Sequence, residues 1–429
     1  MHTLADLRAG KLAGSKRLDL SCGLTQFPDE IFSLSESLEV LNLSDNQLSD
    51  LPTDLHRLKH LKILFCSNNL FTRLPAALGH CDELFFVGFK ACRIGDVPPE
   101  SLPPRLRALV LTDNCIESLP DELGLCVHLQ KLMLAGNRLQ SLPASLAACH
   151  RLELVRIASN DIRQLPQWLL QMPSLAWLAF AGNPLNDIHT EEPIRQISWS
   201  RLTLHQVLGE GASGVIQQGQ WLDDQGVAEK VAVKLYKGHV TSDGSPLNEM
   251  AACMAAGQHA HLIPVEGEVF GHPENARGLV MQLISPRFRV LARPPSLDSC
   301  TRDLYNATRL SRDIVLRMAA GIASACRHLH ARGINHGDLY AHNILWAENG
   351  ESLLGDFGAA AFYPDEETGR ALERIEVRAF GILLGEMLAC CDACDSEIAT
   401  LRELQQACVQ PQVLKRPNFA ELEQALRCL

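Results

Sequence analysis

Leucines recur along the first part of the chain at an almost constant spacing. Seven of them follow one another at intervals of 22 or 23 residues, and each begins a segment such as LEVLNLSDN in which apolar and polar positions alternate. Alternation with a period of two is typical of a short strand with one buried face. Because such a strand cannot bury its apolar face alone, the repetition predicts a stack of strand-containing repeats. The seven leucines are Leu38, Leu61, Leu84, Leu106, Leu129, Leu152 and Leu175.

An asparagine closes most of these segments, in phase with the leucines. The period and the LxxLxLxxN pattern resemble the leucine-rich repeat over about residues 15–187, and a degenerate first copy brings the number of repeats to about eight. In that family such asparagines hydrogen-bond the backbone of adjacent turns. Cys92 takes the asparagine position in the fourth copy. The asparagines are Asn46, Asn69, Asn114, Asn137, Asn160 and Asn183.

The outward strand positions of the repeats carry large apolar side chains. A face that only meets solvent would be more polar, so we expect the concave face of the repeats to be a docking surface. Its occupant would be a protein partner or the second half of the same chain. The residues of this predicted surface include Val40, Ile63, Phe65, Phe86, Met133 and Trp177.

The repetition ends near residue 190, and the pattern changes after a joint at about Asp187–Gln196. The joint has no glycine- or serine-rich tract, which argues against a flexible tether. We therefore expect a repeat domain over residues 1–190 and a second domain over residues 200–429.

Four motifs follow one another in the second half. A GxGxxG segment spans residues 209–214, and a VAVK strand ending at Lys234 follows about twenty residues later. HGDLYAHN occupies residues 336–343, and Asp-Phe-Gly occupies residues 356–358. A lone GxGxxG is weak evidence, but this order and spacing resemble the protein kinase superfamily over about residues 200–429. The predicted fold class is thus an α/β solenoid with a curved parallel sheet, followed by an α+β bilobal kinase-like domain.

The resemblance implies catalytic roles for five residues. Lys234 matches the lysine that binds the α- and β-phosphates of ATP, and Glu249, in a helical stretch, would anchor it. Asp338 matches the catalytic base. Asn343 and Asp356 match the ligands of Mg²⁺ (or Mn²⁺), which are hard oxygen donors.

The same resemblance implies a nucleotide-binding set. Glycines allow backbone amides to approach phosphates closely. Val215 and Ala232 would contact the adenine, Met281 would be the gatekeeper, and backbone groups of Gln282 and Ile284 would contact the base. The full predicted set is Leu208, Gly209, Gly211, Gly214, Val215, Ala232, Lys234, Gln282 and Ile284.

The second half departs from the kinase pattern in ways that affect its regulation. Gly337 stands where an arginine usually precedes the catalytic aspartate, and that arginine pairs with a phosphate of the activation segment. Tyr340 stands where serine/threonine kinases usually carry a lysine, and His342 is a candidate substitute for it. The central helix is predicted to begin near Glu376, so the activation segment before it is unusually short. Glu376 itself stands where the family usually has an aspartate.

The predicted function is an ATP-dependent protein kinase, acting on serine or threonine and on itself, with repeats that bind a protein. Two alternatives stay open. Tyr340 and the short activation segment would fit an ATP-binding pseudokinase scaffold. HGDxxxxN without an Ala-Pro-Glu motif also resembles small-molecule phosphotransferases.

Composition restricts the partners and the compartment. The net charge of −11 gives no basic footprint for nucleic acid. No run of about 18 apolar residues is present, so no membrane span is expected. The fifteen cysteines show no spacing typical of a disulfide framework, and free thiols in the cytoplasm fit them best.

Overall fold

The computed structural model describes residues 2–186, 195–211, 213–223, 225–237, 241, 243–306, 308–394 and 396–429. The chain divides into two units, Met1–Leu175 and Ala176–Leu429. Most of the predicted joint at Asp187–Gln196 lies outside the described residues. The domain limits at 190 and 200 stay predictions, and the strand of the last repeat is grouped with the second unit.

Each repeat of the first unit contributes one three-residue strand. The strands pair in parallel and in chain order, and the middle residue of each, such as Leu41 or Leu64, is completely buried. This arrangement confirms the predicted repeats. The strands are β1 (Arg17–Asp19), β2 (Val40–Asn42), β3 (Ile63–Phe65), β4 (Phe86–Gly88), β5 (Ala108–Val110), β6 (Lys131–Met133) and β7 (Leu154–Arg156).

Short helices follow most of these strands. Most are 3₁₀ helices that begin directly after a proline, which has an extended backbone conformation and precedes the first helical residue. The α-helices are α1 (Leu4–Arg8) and α2 (Gln167–Leu170), and the 3₁₀ helices are Asp29–Leu34, Leu55–Arg57, Ala76–His80, Pro99–Ser101, Asp121–Leu125 and Ala144–Ala148.

The repeated asparagines join neighbouring repeats, as expected. Asn137 is 8% exposed, and its Nδ2 donates to the carbonyl oxygens of Leu111 and Leu134, each at 2.9 Å. Its Oδ1 accepts a bond from the backbone N of Ile116 at 3.0 Å. The thiol of Cys92 makes a weaker substitute, because a thiol is a weak donor; its Sγ donates to the carbonyl of Cys66 at 3.3 Å and to that of Lys90 at 3.6 Å.

The predicted docking face is smaller than the sequence suggested. Trp177 is 1% exposed and is not available to a partner. Ile63 and Phe86 are also buried, because they are neighbours on adjacent strands and the ring of Phe86 packs edge-on against Phe65, 5.3 Å between centroids. Val40, Phe65 and Met133 keep partial exposure.

The second unit begins with a short strand and continues into a six-stranded sheet. The sheet order is β10–β11–β12–β14–β13–β9, in which only β9 is parallel to its neighbour. Helix α3 (Pro246–Ala256) follows the third of these long strands in the chain order. The strands are β8 (Trp177–Ala179), β9 (Gln196–Ser198), β10 (Leu202–Glu210), β11 (Gly214–Leu222), β12 (Ala228–Tyr236), β13 (Val265–Phe270) and β14 (Gly278–Gln282).

The rest of the second unit is mainly helical, with two small sheets. These sheets have the orders β15–β17–β18 and β16–β19. The strands are β15 (Arg289–Val290), β16 (Ile334–Asn335), β17 (Ile344–Trp346), β18 (Ser352–Leu354) and β19 (Ala361–Phe362). The helices are α4 (Arg312–His330), α5 (Glu366–Ala389), α6 (Ala399–Cys408) and α7 (Phe419–Arg427), and short 3₁₀ helices span Pro184–Asn186, Trp199–Arg201, Ala341–Asn343 and Val413–Lys415.

The central helix α5 begins ten residues earlier than predicted, at Glu366 and not near Glu376. Asp365 caps it, because the side chain accepts a hydrogen bond from the backbone N of Thr368 at 2.7 Å. The negative charges of Glu366 and Glu367 in the first turn interact favourably with the positive end of the helix dipole. The activation segment is therefore even shorter than predicted.

Helices that could cross a membrane are absent from the described part of the chain, where none combines enough length with enough apolar character. The longest helix, α5, has 24 residues and carries charged side chains along its length, such as Arg370, Glu373 and Arg378.

The asparagine ladder predicts a difference between two substitutions. Asn137→Ala removes two bonds to carbonyl oxygens, which keep bonds from Asn114 and Asn160, and it removes the acceptor of the buried backbone N–H of Ile116. We therefore expect a loss of about 1–3 kcal/mol in the free energy of unfolding. Cys92→Ala removes only weak bonds and should cost less than about 1 kcal/mol. Urea unfolding of the full-length chain, followed by circular dichroism, measures both. Equal losses would contradict the assigned role of the ladder.

Candidate functional site

A buried ion pair joins the sheet to helix α3. Lys234 on β12 places its Nζ 2.7 Å from Oε1 of Glu249, and the two side chains are 9% and 5% exposed. The helix is positioned by Ser245, whose side chain caps it, and by Pro246 at its first position. Burial acts to lower the pKa of Lys234, but the charges of Glu249 and Asp356 outweigh it and raise that pKa. The lysine therefore stays cationic inside the cavity.

The HGD segment is held by a buried carboxylate. Glu376 of α5 is 1% exposed and accepts hydrogen bonds from the backbone N of His336 at 3.2 Å and of Gly337 at 2.6 Å. His330 Nε2 lies 2.8 Å from the same carboxylate. Burial acts to raise the pKa of Glu376, yet the bond from His330 and its charge outweigh burial, so the pKa is lowered and the group stays ionised.

Asp338 follows directly on this anchored backbone. Asn343 Nδ2 donates to the Asp338 carbonyl at 2.9 Å and to Asp338 Oδ2 at 2.8 Å, which orients the carboxylate. The ring of His336 is completely buried, and its Nε2 lies 3.0 Å from the carbonyl oxygen of Gly355. This contact links the HGD segment to the Asp-Phe-Gly segment.

Asp356 is exposed and has a left-handed backbone conformation with φ of 53°. Its Oδ1 accepts a bond from the backbone N of Gly358 at 3.1 Å. Phe357 is 4% exposed and its ring packs 5.1 Å from the ring of His336. Asp356 and Phe357 both border the cavity that also contains Lys234 and Glu249.

The cavity has a volume of about 710 Å³ and mainly apolar walls. It brings together Leu208, Ala232, Lys234, Gln282 and Ile284 of the predicted nucleotide-binding set, together with Met281. Sequence reasoning missed its other apolar walls. The missed residues include Cys253, Ile263, Val265, Leu279, Leu345 and Phe357.

Val215 is a correction to the predicted set, because Ile216 lines the cavity and Val215 does not. On β11, Ile216 is the pairing partner of Lys234, whereas Val215 is opposite Leu235. Side chains alternate between the two faces of a sheet, so the residue paired with Lys234 shares its face. The residue of β11 expected to contact the adenine was therefore predicted one position too early in the chain.

The phosphate-loop glycines are outside the walls of this cavity. Gly211 borders a neighbouring groove that also contains His342, and Gly209 and Gly214 border neither. Gly214 is required by close packing, because a Cβ there would lie 2.4 Å from the carbonyl oxygen of Leu235.

A second ion pair, which the sequence did not reveal, lies beside the catalytic loop. His342 Nδ1 is 2.8 Å from Asp303 Oδ1, and the backbone N of His342 donates to Asp303 Oδ2 at 3.0 Å. Burial acts to lower the pKa of His342, but the bond with Asp303 and nearby negative charges raise it overall. No motif marks Asp303, since it lies 39 residues before its partner.

Glu386 on α5 belongs to the same charged region. Burial disfavours its ionised form, and the negative charge of Asp303 adds to that effect, so the pKa of Glu386 is raised to about 8.

Comparison with known proteins identifies both halves. Residues 202–382 match the family described as protein tyrosine and serine/threonine kinase, and residues 36–78 and 127–185 match leucine-rich repeats. Leucine-rich repeats are therefore followed by a protein kinase domain, as in a leucine-rich-repeat kinase.

Curated relatives include two mouse proteins and one from Drosophila melanogaster. Mouse megakaryocyte-associated tyrosine-protein kinase is 29% identical over 219 residues, covering 46% of this chain and 40% of that protein. Mouse tyrosine-protein kinase receptor TYRO3 is 28% identical over 160 residues, covering 37% and 18%. Drosophila protein sevenless is 28% identical over 174 residues, covering 38% and 7%. The chain thus spans less than half the length of each of these relatives.

The raised pKa of Glu386 predicts a pH-dependent stability. Its folded pKa of about 8 exceeds the ordinary 4.5, so its contribution is fully present below pH 4.5 and is lost as pH rises to about 8. Glu386→Gln should remove this loss and stabilise the protein at pH 8 by roughly 2–5 kcal/mol, with a smaller difference at pH 5.

Urea unfolding at several pH values tests this expectation. Glu403→Gln, at an exposed position of α6, is the matched control and should leave the pH profile unchanged. A Glu386→Gln profile parallel to that of the wild type would contradict the assignment.

Proposed function

We propose that the chain is an ATP-dependent protein kinase that transfers the γ-phosphate to serine or threonine of a protein, including itself. The observation that carries the proposal is the convergence of Lys234, Glu249 and Asp356 on one cavity, with the orienting contact between Asn343 and Asp338. The kinase family match over residues 202–382 supports the same activity.

The cavity fits a nucleotide. Apolar side chains of both sheet and loop, among them Ile216, Ala232 and Leu345, offer flat contacts for a purine ring. Backbone groups at Gln282 and Ile284 would contact the edge of the base. At the other end of the cavity, the cationic Lys234 would bind the α- and β-phosphates, and the pair with Glu249 would limit its movement.

The donor set also fits a divalent cation. Asp356 offers an exposed carboxylate and Asn343 an amide oxygen, which are the hard donors that Mg²⁺ or Mn²⁺ prefers. A bound cation would offset the negative charge that develops on the transferred phosphoryl group. Asn343 would then have two roles, because its Nδ2 is used by Asp338 while its oxygen faces the cation.

Asp338 would accept the proton of the attacking hydroxyl. The Asn343 contact directs the carboxylate, and the backbone before it is held by Glu376. His342, held by Asp303, would add positive charge near the transferred group when its ring is protonated, in place of the lysine that the family usually carries at position 340.

Tyrosine is the second candidate acceptor. Two relatives are named as tyrosine kinases, megakaryocyte-associated tyrosine-protein kinase and tyrosine-protein kinase receptor TYRO3, and this favours tyrosine as acceptor.

We further propose that the repeats bind a protein partner through Val40, Phe65 and Met133, with no nucleic-acid partner. The cytoplasmic location stays a prediction.

Two substitutions test the proposed activity. Asp338→Asn removes the base but keeps the shape, so transfer from γ-labelled ATP should fall by about 10²–10⁴-fold while ATP still binds. Lys234→Met should weaken both transfer and ATP binding. The assay uses the purified full-length chain with Mg²⁺ or Mn²⁺, alone and with a basic acceptor protein.

Three outcomes separate the alternatives. Label on protein that disappears in both variants supports a kinase, and phosphoamino-acid analysis then decides between serine or threonine and tyrosine. Bound ATP without any transfer would indicate a scaffold. Transfer only to metabolites would indicate a small-molecule phosphotransferase.

Activation-segment phosphorylation should be unnecessary. Gly337 provides no arginine for a phosphate, and burial raises the pKa of Tyr363, whose hydroxyl contacts His330. Thr368 is used in the cap of α5, where its Oγ1 donates to Asp365 at 2.9 Å. Phosphatase-treated protein should therefore keep its rate within about twofold, and a large loss would refute this prediction.

A further inference from the structure

Strand β8, in the second unit, lies against the catalytic loop. The indole Nε1 of Trp177 donates to the carbonyl oxygen of Leu339 at 3.0 Å. The indole also stacks on the ring of Tyr340, with 4.2 Å between centroids and 7° between planes. Trp177 is 1% exposed and Tyr340 5%, so this contact is dry. The ring of Tyr340 is therefore used as a packing surface for the indole.

The backbone of β8 contacts the other side of the same loop. The carbonyl oxygen of Leu178 accepts a bond from Nδ2 of Asn335 at 3.4 Å. Gly337 has φ of +73°, and a Cβ there would lie 2.7 Å from this oxygen and 2.7 Å from the carbonyl oxygen of Ala359. Any side chain at this position would displace β8 or the loop. The close approach of β8 is thus incompatible with the usual arginine at position 337.

The contacts continue to the ion pair beside Asp338. The guanidinium of Arg302 lies 5.5 Å from the ring centroid of Trp177, and Arg302 directly precedes Asp303. The ring of Tyr340 is 4.9 Å from that of His342, which Asp303 holds. Trp177 is therefore linked to the catalytic loop through the carbonyl of Leu339, through Tyr340 and through Arg302.

We propose that Trp177 is a positioning residue that fixes the Asp338 backbone for phosphoryl transfer. Gly337 and Leu339, the two neighbours of Asp338, both contact β8, so the aspartate is held from both sides. In kinases with an arginine before the base, a phosphorylated activation segment supplies such a restraint. Here β8 supplies it permanently, so the catalytic unit begins before residue 177 and not near residue 200. This inference rests on the proposed kinase function.

Substitutions in the full-length chain separate positioning from general stability. A misplacement of about 1 Å can lower a rate about 100-fold, so we expect Trp177→Ala to reduce kcat by about 30–100-fold. The KM for ATP should change less than about threefold, because the cavity walls do not include Trp177. Trp199→Ala is the matched loss of an indole outside the loop, packed on the sheet core, and should leave kcat nearly unchanged.

Trp177→Phe covers the case in which the alanine variant does not fold. It keeps an aromatic ring on Tyr340 and loses only the N–H bond to Leu339, so we expect kcat to fall about 3–10-fold. A folded Trp177→Ala protein with unchanged kcat would overturn the inference. An equal loss of kcat in Trp199→Ala, or an unchanged kcat in Trp177→Phe when the alanine variant is unfolded, would also overturn it.

Hydrogen exchange supplies a readout that does not depend on activity. Amides of residues 335–343 should exchange at least about tenfold faster in Trp177→Phe, and faster still in a folded Trp177→Ala protein, than in the wild type or Trp199→Ala. If the Trp177 variants exchange faster but the wild-type protein transfers no phosphate, the restraint is supported and the proposed kinase function is refuted. Unchanged exchange in an active protein would refute the restraint alone.

Discussion

The buried carboxylate of Glu376 is the contact on which the catalytic loop depends. Its side chain accepts hydrogen bonds from the backbone N–H groups of His336 and Gly337, and Glu376 is 1% exposed. Without it, two buried donors would lose their partner, at a cost of about 1–3 kcal/mol each. His330 lies beside it and keeps it ionised. Since Asp338 follows directly on these two residues, its position depends on helix α5.

The same helix explains the short activation segment. Because α5 begins at Glu366, the chain turns from the Asp-Phe-Gly segment into the central helix within a few residues. There is little chain left on which a phosphorylated platform could form. Order around Asp338 must then come from elements that are always present, and Glu376 and strand β8 are such elements in the described part of the second unit.

Local charge in the site differs from the charge of the whole chain. The net charge is −11, yet two basic groups, Lys234 and His342, stand at the site with raised pKa values. Each is held by a buried carboxylate, from Glu249 and Asp303. Pairing maintains a cation that burial alone would neutralise. The arrangement suits a polyanionic ligand such as a nucleotide triphosphate.

Residues inside short motifs were predictable from the sequence alone, because their chemistry depends on local spacing. Lys234, Asp338, Asn343 and Asp356 were placed in this way, and periodic leucines predicted the parallel repeats with buried middle residues. The prediction of Val215 as an adenine contact was wrong by one position, since only the pairing of β11 with β12 decides which residue shares the face of Lys234. The predicted start of α5 was also wrong, because the helix begins at the cap formed by Asp365 and not at the apolar pattern near Glu376.

Contacts between distant segments were decided by the tertiary structure. Asp303 and His342 carry no shared motif, and Trp177 lies 162 residues before the carbonyl that it binds. Sequence pattern placed Trp177 on an exposed face, whereas folding buried it against Tyr340. Periodicity reports which side of a strand is apolar, but it does not report what covers that side. The sequence therefore determined the two kinds of domain and the candidate catalytic side chains, and only packing decided how the HGD segment is held.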